Sequence, residues 1–143
     1  MIMPARIAEA TWQGTLQEGT GSVKLGSGAY DGPFSYKSRF DEGTGTNPEE
    51  LLGAAEAGCF TMALGARLSR NGFTVNNIHT TAHVHLEKVG DGMSITRIHL
   101  VTEGSIEGLD EAAFKEHAEE TKKSCIVSRA LAGVELSIEA KLV

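Results

Sequence analysis

The segment Asn47-Pro48-Glu49-Glu50-Leu51-Leu52-Gly53-Ala54-Ala55-Glu56-Ala57-Gly58-Cys59-Phe60-Thr61-Met62-Ala63-Leu64 reads as the start and body of one long helix. Asn47 suits the N-cap, Pro48 the first helical turn, and Glu50 completes a capping box at the third position. From Leu51 to Leu68 the run is apolar nearly all round, so it must be covered on most of its faces. A chain of 143 residues has few elements to do that, and a partner subunit is expected. Gly53, Gly58 and Gly65 each weaken the helix by ~1 kcal/mol against alanine. They make sense where another backbone comes close. Asn71-Gly72 ends the helix.

On the N-terminal side the chain reads as short strands between glycine turns. Ala8 to Trp12 is the first strand and Ser22 to Leu25 the second. Phe34 to Phe40 is the third, with Phe34, Tyr36, Ser38 and Phe40 on one face. On the C-terminal side a long hairpin alternates Ile78, Thr80, Ala82, Val84 and Leu86 with His79, Thr81, His83, His85 and Glu87. It turns at Gly90-Asp91-Gly92 and returns over Ile95 to Thr102. Asp110 caps a helix running to about Lys123, with Leu109, Ala113, Phe114, His117 and Ala118 at helical spacing. Cys125 begins a short helix stopped by Gly133, and Val134 to Ala140 is an alternating strand. Strands, one buried helix, a hairpin, two helices and a strand make an α+β fold with antiparallel sheets, because the βαβα rhythm of a parallel sheet is missing. Residues 1–143 read as a single domain without repeats or linkers.

The composition, 41% hydrophobic and 22% charged, is that of a globular domain. A net charge of −6 argues against non-specific nucleic-acid binding, which needs clustered cations. No apolar stretch reaches the ~20 residues that cross a bilayer. The N-terminus has no apolar signal region, so a cytoplasmic location is expected and a static structural disulfide is not.

The chain has two cysteines, Cys59 and Cys125. They form a redox couple, or a lone nucleophile with a bystander, or two inert core thiols. A thiol becomes a nucleophile as its thiolate, which a cation or a helix N-terminus favours. Cys59 sits roughly 18 Å from the start of its helix, beyond the reach of the helix dipole. It needs a cation from elsewhere, and without one it is a buried core thiol. Cys125 stands where a short helix begins, with Lys122, Lys123 and Arg129 near in sequence, so dipole and charge both favour its thiolate. The alternative is that Ser124 caps and Cys125 fills space. His79, His83 and His85 share strand parity, and His83 falls opposite His99. That arrangement allows a zinc or nickel site, but nothing completes a tetrahedron and a solvated face is the simpler reading. A Cys-His hydrolase with His117 or a hairpin histidine as base lacks an acidic orienter.

The stretch Thr46 to Leu64 resembles the OsmC-type branch of the OsmC/Ohr peroxidase family. Cys125-Ile126-Val127-Ser128-Arg129-Ala130-Leu131 is similar to that family's second motif. Ser38-Arg39-Phe40 and Ala10-Thr11-Trp12-Gln13-Gly14 match in kind and order, so the resemblance covers essentially the whole chain. One departure is Ile126, where the family commonly has proline. The resemblance implies an intertwined homodimer with a long buried central helix, reducing organic hydroperoxides and, more weakly, hydrogen peroxide. It makes Cys59 the attacking cysteine and Cys125 the resolving one, which closes an intramolecular disulfide. Arg39 matches the arginine that stabilises the thiolate and orients peroxide, and Glu49 the acid that holds it. No bound cofactor or metal is implied; an external dithiol, a lipoylated or thioredoxin-like protein, resets the pair. The alternative is a non-enzymatic member of the same fold that binds a hydrophobic ligand or partner.

A guanidinium carries its charge at all ordinary pH, so Arg39 suits this task. Glu50 is accounted for by the capping box, which leaves Glu49 free. Glu49 and Cys59 lie about 15 Å apart along a straight helix. One arginine fork cannot join both: either Arg39 bridges only part of that span, or Glu49, Arg39 and Cys59 come from two subunits. With the apolar helix this favours a site at a homodimer interface, as the resemblance implies. Ala54, Ala55, Ala57, Phe60 and Met62 are expected to wall the pocket for an organic tail.

Overall fold

The computed structural model describes residues 1–143, and the chain divides into two compact units, Met1–Leu51 and Leu52–Val143. In the first, β1 (Ala8–Gln13), β2 (Thr20–Leu25) and β3 (Asp31–Phe34) form an antiparallel sheet in that order. Trp12 and Phe34 pack against each other on it, their rings tilted by 51° with centroids 5.3 Å apart.

The expected strand over Phe34 to Phe40 is instead cut short, and Tyr36–Phe40 is a helix, α1. Ser35 causes the change. Its hydroxyl accepts from the Ser38 N–H at 3.1 Å, and the Ser38 hydroxyl accepts from the Ser35 N–H at 2.9 Å. This reciprocal capping box satisfies two donors that a continued strand would have paired elsewhere. The Ser38 hydroxyl lies 2.8 Å from the Thr46 carbonyl, and Asn47 Nδ2 donates to the Ser38 carbonyl at 2.9 Å. These bonds tie α1 to the segment that starts the long helix.

That helix is α2, Pro48–Arg70. Asn47 caps it as expected, its side-chain oxygen accepting from the Glu50 N–H at 2.7 Å. The return half of the box differs, because Glu50 accepts from the Thr46 hydroxyl at 2.8 Å. Within the second unit, Glu56, Phe60, Leu64 and Leu68 form one buried stripe at four-residue spacing, each 0% exposed. The opposite side, with Ala54, Ala55, Gly58, Met62 and Ala66, is exposed in the single chain. The glycines divide accordingly. A β-carbon on Gly53 would stand 3.2 Å from Val84 Cγ2, so a side chain, not a backbone, comes close there. Around Gly58 there is open space.

β4 (Thr74–Val89) and β5 (Gly92–Glu107) form the expected hairpin. Val89 pairs with Gly92 across a two-residue loop, and Gly90 at φ 61° supplies the positive φ that a II′-type turn needs at its first position. On β5 the alternate residues Ile98, Leu100, Thr102, Gly104 and Ile106 are buried and face the core. The helix α3 (Glu111–Ser124) begins at Asp110, whose carboxylate accepts from the Ala113 N–H at 2.8 Å. It buries Phe114, Ala118 and Thr121. The short α4 (Ile126–Ala130) follows, and then β6 (Glu135–Leu142). β6 joins β5 in parallel, the exception to otherwise antiparallel sheets. The two intervening helices provide the crossover that parallel neighbours require. The core of this unit is Phe60, Leu64, Leu68, Ile98, Leu100, Ile106, Phe114 and Ala118, closed by Cys125 and Ala140. No helix is long and apolar enough to cross a membrane.

Candidate active site

The second unit brings the two cysteines together. Cys59 projects from the middle of α2, and Cys125 is both the C-cap of α3 and the N-cap of α4. Both are free, and the Cys125 thiol donates to Cys59 Sγ at 3.1 Å. A disulfide has its sulfurs about 2.05 Å apart, so closure requires an approach of only about 1 Å. The backbone holds Cys125 firmly: its N–H donates to the Thr121 carbonyl at 2.8 Å, and its carbonyl accepts from the Arg129 N–H at 3.0 Å.

The two sulfurs differ in exposure. Cys59 is half-buried, whereas Cys125 is 1% exposed. Burial pushes the Cys125 thiol up from its ordinary range, because removal from water disfavours the thiolate. The neighbouring Ser128 opposes this, while the thiol's own bond to Cys59 and the Glu56 carboxyl reinforce it. The expectation that nearby cations activate Cys125 therefore fails. Lys122 is paired with Glu119 at 3.0 Å and Lys123 with Glu120 at 2.7 Å, so neighbours in sequence are spent on their own helix face.

Cys59 opens onto a cavity of about 410 Å³, which Met62, Ala63, Ala66, Arg67, Arg70, Ser124, Cys125 and Ile126 also line. Its wall is mainly apolar. Met62 belongs to it as expected. Phe60 does not, since the α2 periodicity turns it into the core, and Ala54, Ala55 and Ala57 lie outside the lining. Arg67 is fixed by donating from Nε to His117 Nδ1 at 3.1 Å.

In the first unit Arg39 and Glu49 form a forked ion pair. Arg39 Nη2 donates to Glu49 Oε1 at 2.8 Å, and Nε approaches Oε1 and Oε2 at 3.1 and 3.3 Å. Arg39 sits on α1 rather than on a strand, and the Ser35 cap directs it. Its guanidinium lies 5.3 Å from the centre of the Phe40 ring. Arg39 also borders an aromatic cavity of about 280 Å³ lined by Trp12, Leu16, Phe34, Tyr36 and Phe40. Glu49 is 7% exposed, so its carboxylate depends on this partner.

Elsewhere, His83 and His99 pair across the hairpin with rings 6.2 Å apart. His99 Nδ1 bonds to the Ser137 hydroxyl at 2.7 Å, and no group of three His, Cys, Asp or Glu side chains converges in the chain. Sequence reading missed Glu56, Ser128, Arg67 and Arg70. The signal for Glu56 was present: it is the charged member of the stripe that continues through Phe60, Leu64 and Leu68.

Two free thiols thus lie 3.1 Å apart beside a mainly apolar cavity, on an α+β scaffold. The model of the OsmC-like protein family matches residues 41–139. The chain is 43% identical over 124 residues to Peroxiredoxin OsmC of Escherichia coli (strain K12), covering 86% of this chain and 87% of that protein. The crystal structure of the organic hydroperoxide resistance protein OhrB of Bacillus subtilis superimposes with a TM-score of 0.74 at 25% identity, over 94% of this chain and 98% of that one. An OsmC-like protein of Vibrio cholerae shares the fold with a TM-score of 0.77 at 16% identity, over 97% and 100% of the two chains. The chain belongs to the OsmC-like family.

Proposed function

We propose that the protein is a thiol peroxidase that reduces organic hydroperoxides through a Cys59–Cys125 disulfide. Its class, a peroxiredoxin-like hydroperoxide reductase, rests on the 43% identity over most of the chain to Peroxiredoxin OsmC. The observation that carries the finer reading is the 3.1 Å approach of two free thiols beside an apolar cavity. The Cys59 thiolate attacks the terminal oxygen of ROOH; the O–O bond breaks, ROH leaves with a proton, and Cys59 becomes a sulfenic acid. Cys125 then attacks that sulfur, the S–O bond breaks, and water departs as the disulfide forms. A dithiol of the lipoyl or thioredoxin type returns both sulfurs to thiols, so that each turnover transfers two electrons to the peroxide.

The apolar lining favours an organic tail over hydrogen peroxide, which gains nothing from Met62, Ala63 and Ala66. By the family resemblance, Arg39, held by Glu49, is the residue assigned to supply a fixed positive charge to the thiolate and the peroxide. The active form is a homodimer. The exposed apolar side of α2, with Met62 79% exposed, is the face a second subunit covers. Titration of the reduced protein with cumene hydroperoxide tests the reading. Loss of both thiols per chain is expected, and none in Cys59→Ser. Unchanged thiols at sub-millimolar peroxide would favour the non-enzymatic, ligand-binding alternative.

A further inference from the structure

Glu56 is the one wholly buried carboxyl of the chain, 0% exposed in the middle of an apolar stripe. Such a group is costly to bury, and a typical site satisfies both of its oxygens. Here Oε1 accepts from the Ser128 hydroxyl, while Oε2 has no hydrogen-bond partner. The arrangement parallels the thiol pair. Glu56 stands one helical turn before Cys59 on α2, and Ser128 one turn after Cys125 on α4. The hydrogen bond and the sulfur contact therefore form two rungs between the same two segments. Ser128, itself 8% exposed, gives its hydroxyl proton to Glu56 and stands near enough to Cys125 to bear on its thiol.

From this geometry we infer that Glu56, acting through Ser128, is a positioning residue that holds the resolving cysteine against Cys59 and takes the thiol proton when the disulfide closes. The inference rests on the proposed dithiol cycle and names a part of it. Closure joins Cys59–S–OH and Cys125–SH into Cys59–S–S–Cys125 and water. Cys59 sulfur is reduced and Cys125 sulfur is oxidised, and the thiol proton must leave as the S–S bond forms. It passes to the Ser128 oxygen while the Ser128 proton passes to Glu56 Oε1. The carboxyl then returns a proton to the departing hydroxide, which leaves as water. Burial holds Cys125 in its thiol form, so closure at neutral pH needs such a local acceptor. The titratable groups bearing on Cys125 are Cys59 and Glu56, both from α2, and Arg67 and Arg70 line the same cavity.

The decisive variant is Glu56→Gln, which keeps the shape and the acceptor for Ser128 but cannot take a proton. Sulfenic acid formation at Cys59 should keep its wild-type rate. Closure should slow by about 10²-fold near neutral pH, the low end for a lost general base. A dimedone-trappable sulfenic acid should accumulate, and the closure rate should climb with pH until it approaches wild type in alkali. Ser128→Ala, which removes a single oxygen, should behave alike, and the double variant should be no slower than either single one. Wild-type closure in Glu56→Gln, or slowing by one factor at every pH, overturns the inference. If Glu56→Gln does not fold, Ser128→Ala carries the same pH test alone.

A second trigger separates this inference from the peroxidase reading. An aromatic disulfide reagent placed on Cys59 gives a mixed disulfide that Cys125 displaces, releasing a coloured thiolate without any peroxide. Glu56-dependent closure there, with no consumption of cumene hydroperoxide by the wild-type protein, refutes the peroxidase and retains the proton path. Glu56-independent closure there, with normal peroxide consumption, does the reverse.

Discussion

Removing the guanidinium of Arg39 should be felt first as a loss of stability, and its size follows from the ion pair. The Glu49 carboxylate is 7% exposed and receives donors at 2.8 to 3.3 Å from one planar fork. A hydrogen bond to a charged group contributes about 1.5–3 kcal/mol, and loss of the partner leaves the carboxylate's desolvation uncompensated. The Arg39 side chain is 38% exposed, so solvent screens part of the interaction. Together these place Arg39→Ala at about 2 kcal/mol of destabilisation. At about 2–4 °C per kcal/mol for a chain of this size, the melting midpoint should fall by roughly 4–8 °C. Glu49→Gln keeps an acceptor without its charge and should cost less. The double variant Arg39→Ala/Glu49→Gln should be more stable than the sum of the two, with about 1 kcal/mol or more of coupling. Thermal unfolding at fixed protein concentration measures all four proteins. Arg39→Lys separates charge from fork geometry and should fall between wild type and Arg39→Ala. A midpoint for Arg39→Ala within about 1 °C of wild type, or additive losses in the double variant, would refute the view that this pair is mutually dependent.

Two further outcomes follow from the second cysteine. Because burial raises the Cys125 thiol above its unfolded range, the folded chain keeps that proton at pH values where the unfolded chain has lost it. Stability from this group is full below the unfolded thiol range and declines as pH rises through the folded value; Cys125→Ala should lack that alkaline decline in urea midpoints under reducing conditions. An identical alkaline slope in Cys125→Ala would assign the decline to other groups. Ile126 is the first residue of α4 and is 75% exposed, a position whose N–H has no partner within the helix. Ile126→Pro should therefore fold normally, gain about 0.4–1 kcal/mol through a stiffer unfolded chain, and close its disulfide no more slowly. A loss of stability would mean that this N–H is in use.

Most of the scaffold was legible because its signals are long. The β4–β5 hairpin alternates over many residues, α2 opens with Asn47-Pro48 and α3 with Asp110, and each of these stands where the sequence places it. What failed was short or directional. A five-residue helix is too brief to show a 3.6-residue period, and Tyr36, Ser38 and Phe40 mimic a strand's alternation. Only the Ser35–Ser38 box betrays the turn into α1. The alternation of β6 marks its two faces but not its direction, so its parallel pairing came from the α3–α4 crossover. The Arg39–Glu49 and Cys59–Cys125 pairs were reached through family motifs, since residues this far apart in sequence have no local pattern that joins them. Cys125 was misjudged for a physical reason: neighbouring lysines count only if they point inward, and these bind glutamates on their own helix.

The proposed catalytic cycle requires Cys59 and Cys125 to act as one couple. Mass spectrometry of the reduced protein after one equivalent of organic hydroperoxide tests this most directly. Loss of two hydrogens per chain is expected, with a cross-linked peptide pair containing Cys59 and Cys125 from the same subunit. A stable oxygen adduct on Cys59 with Cys125 still free, or a disulfide joining two chains, would contradict it.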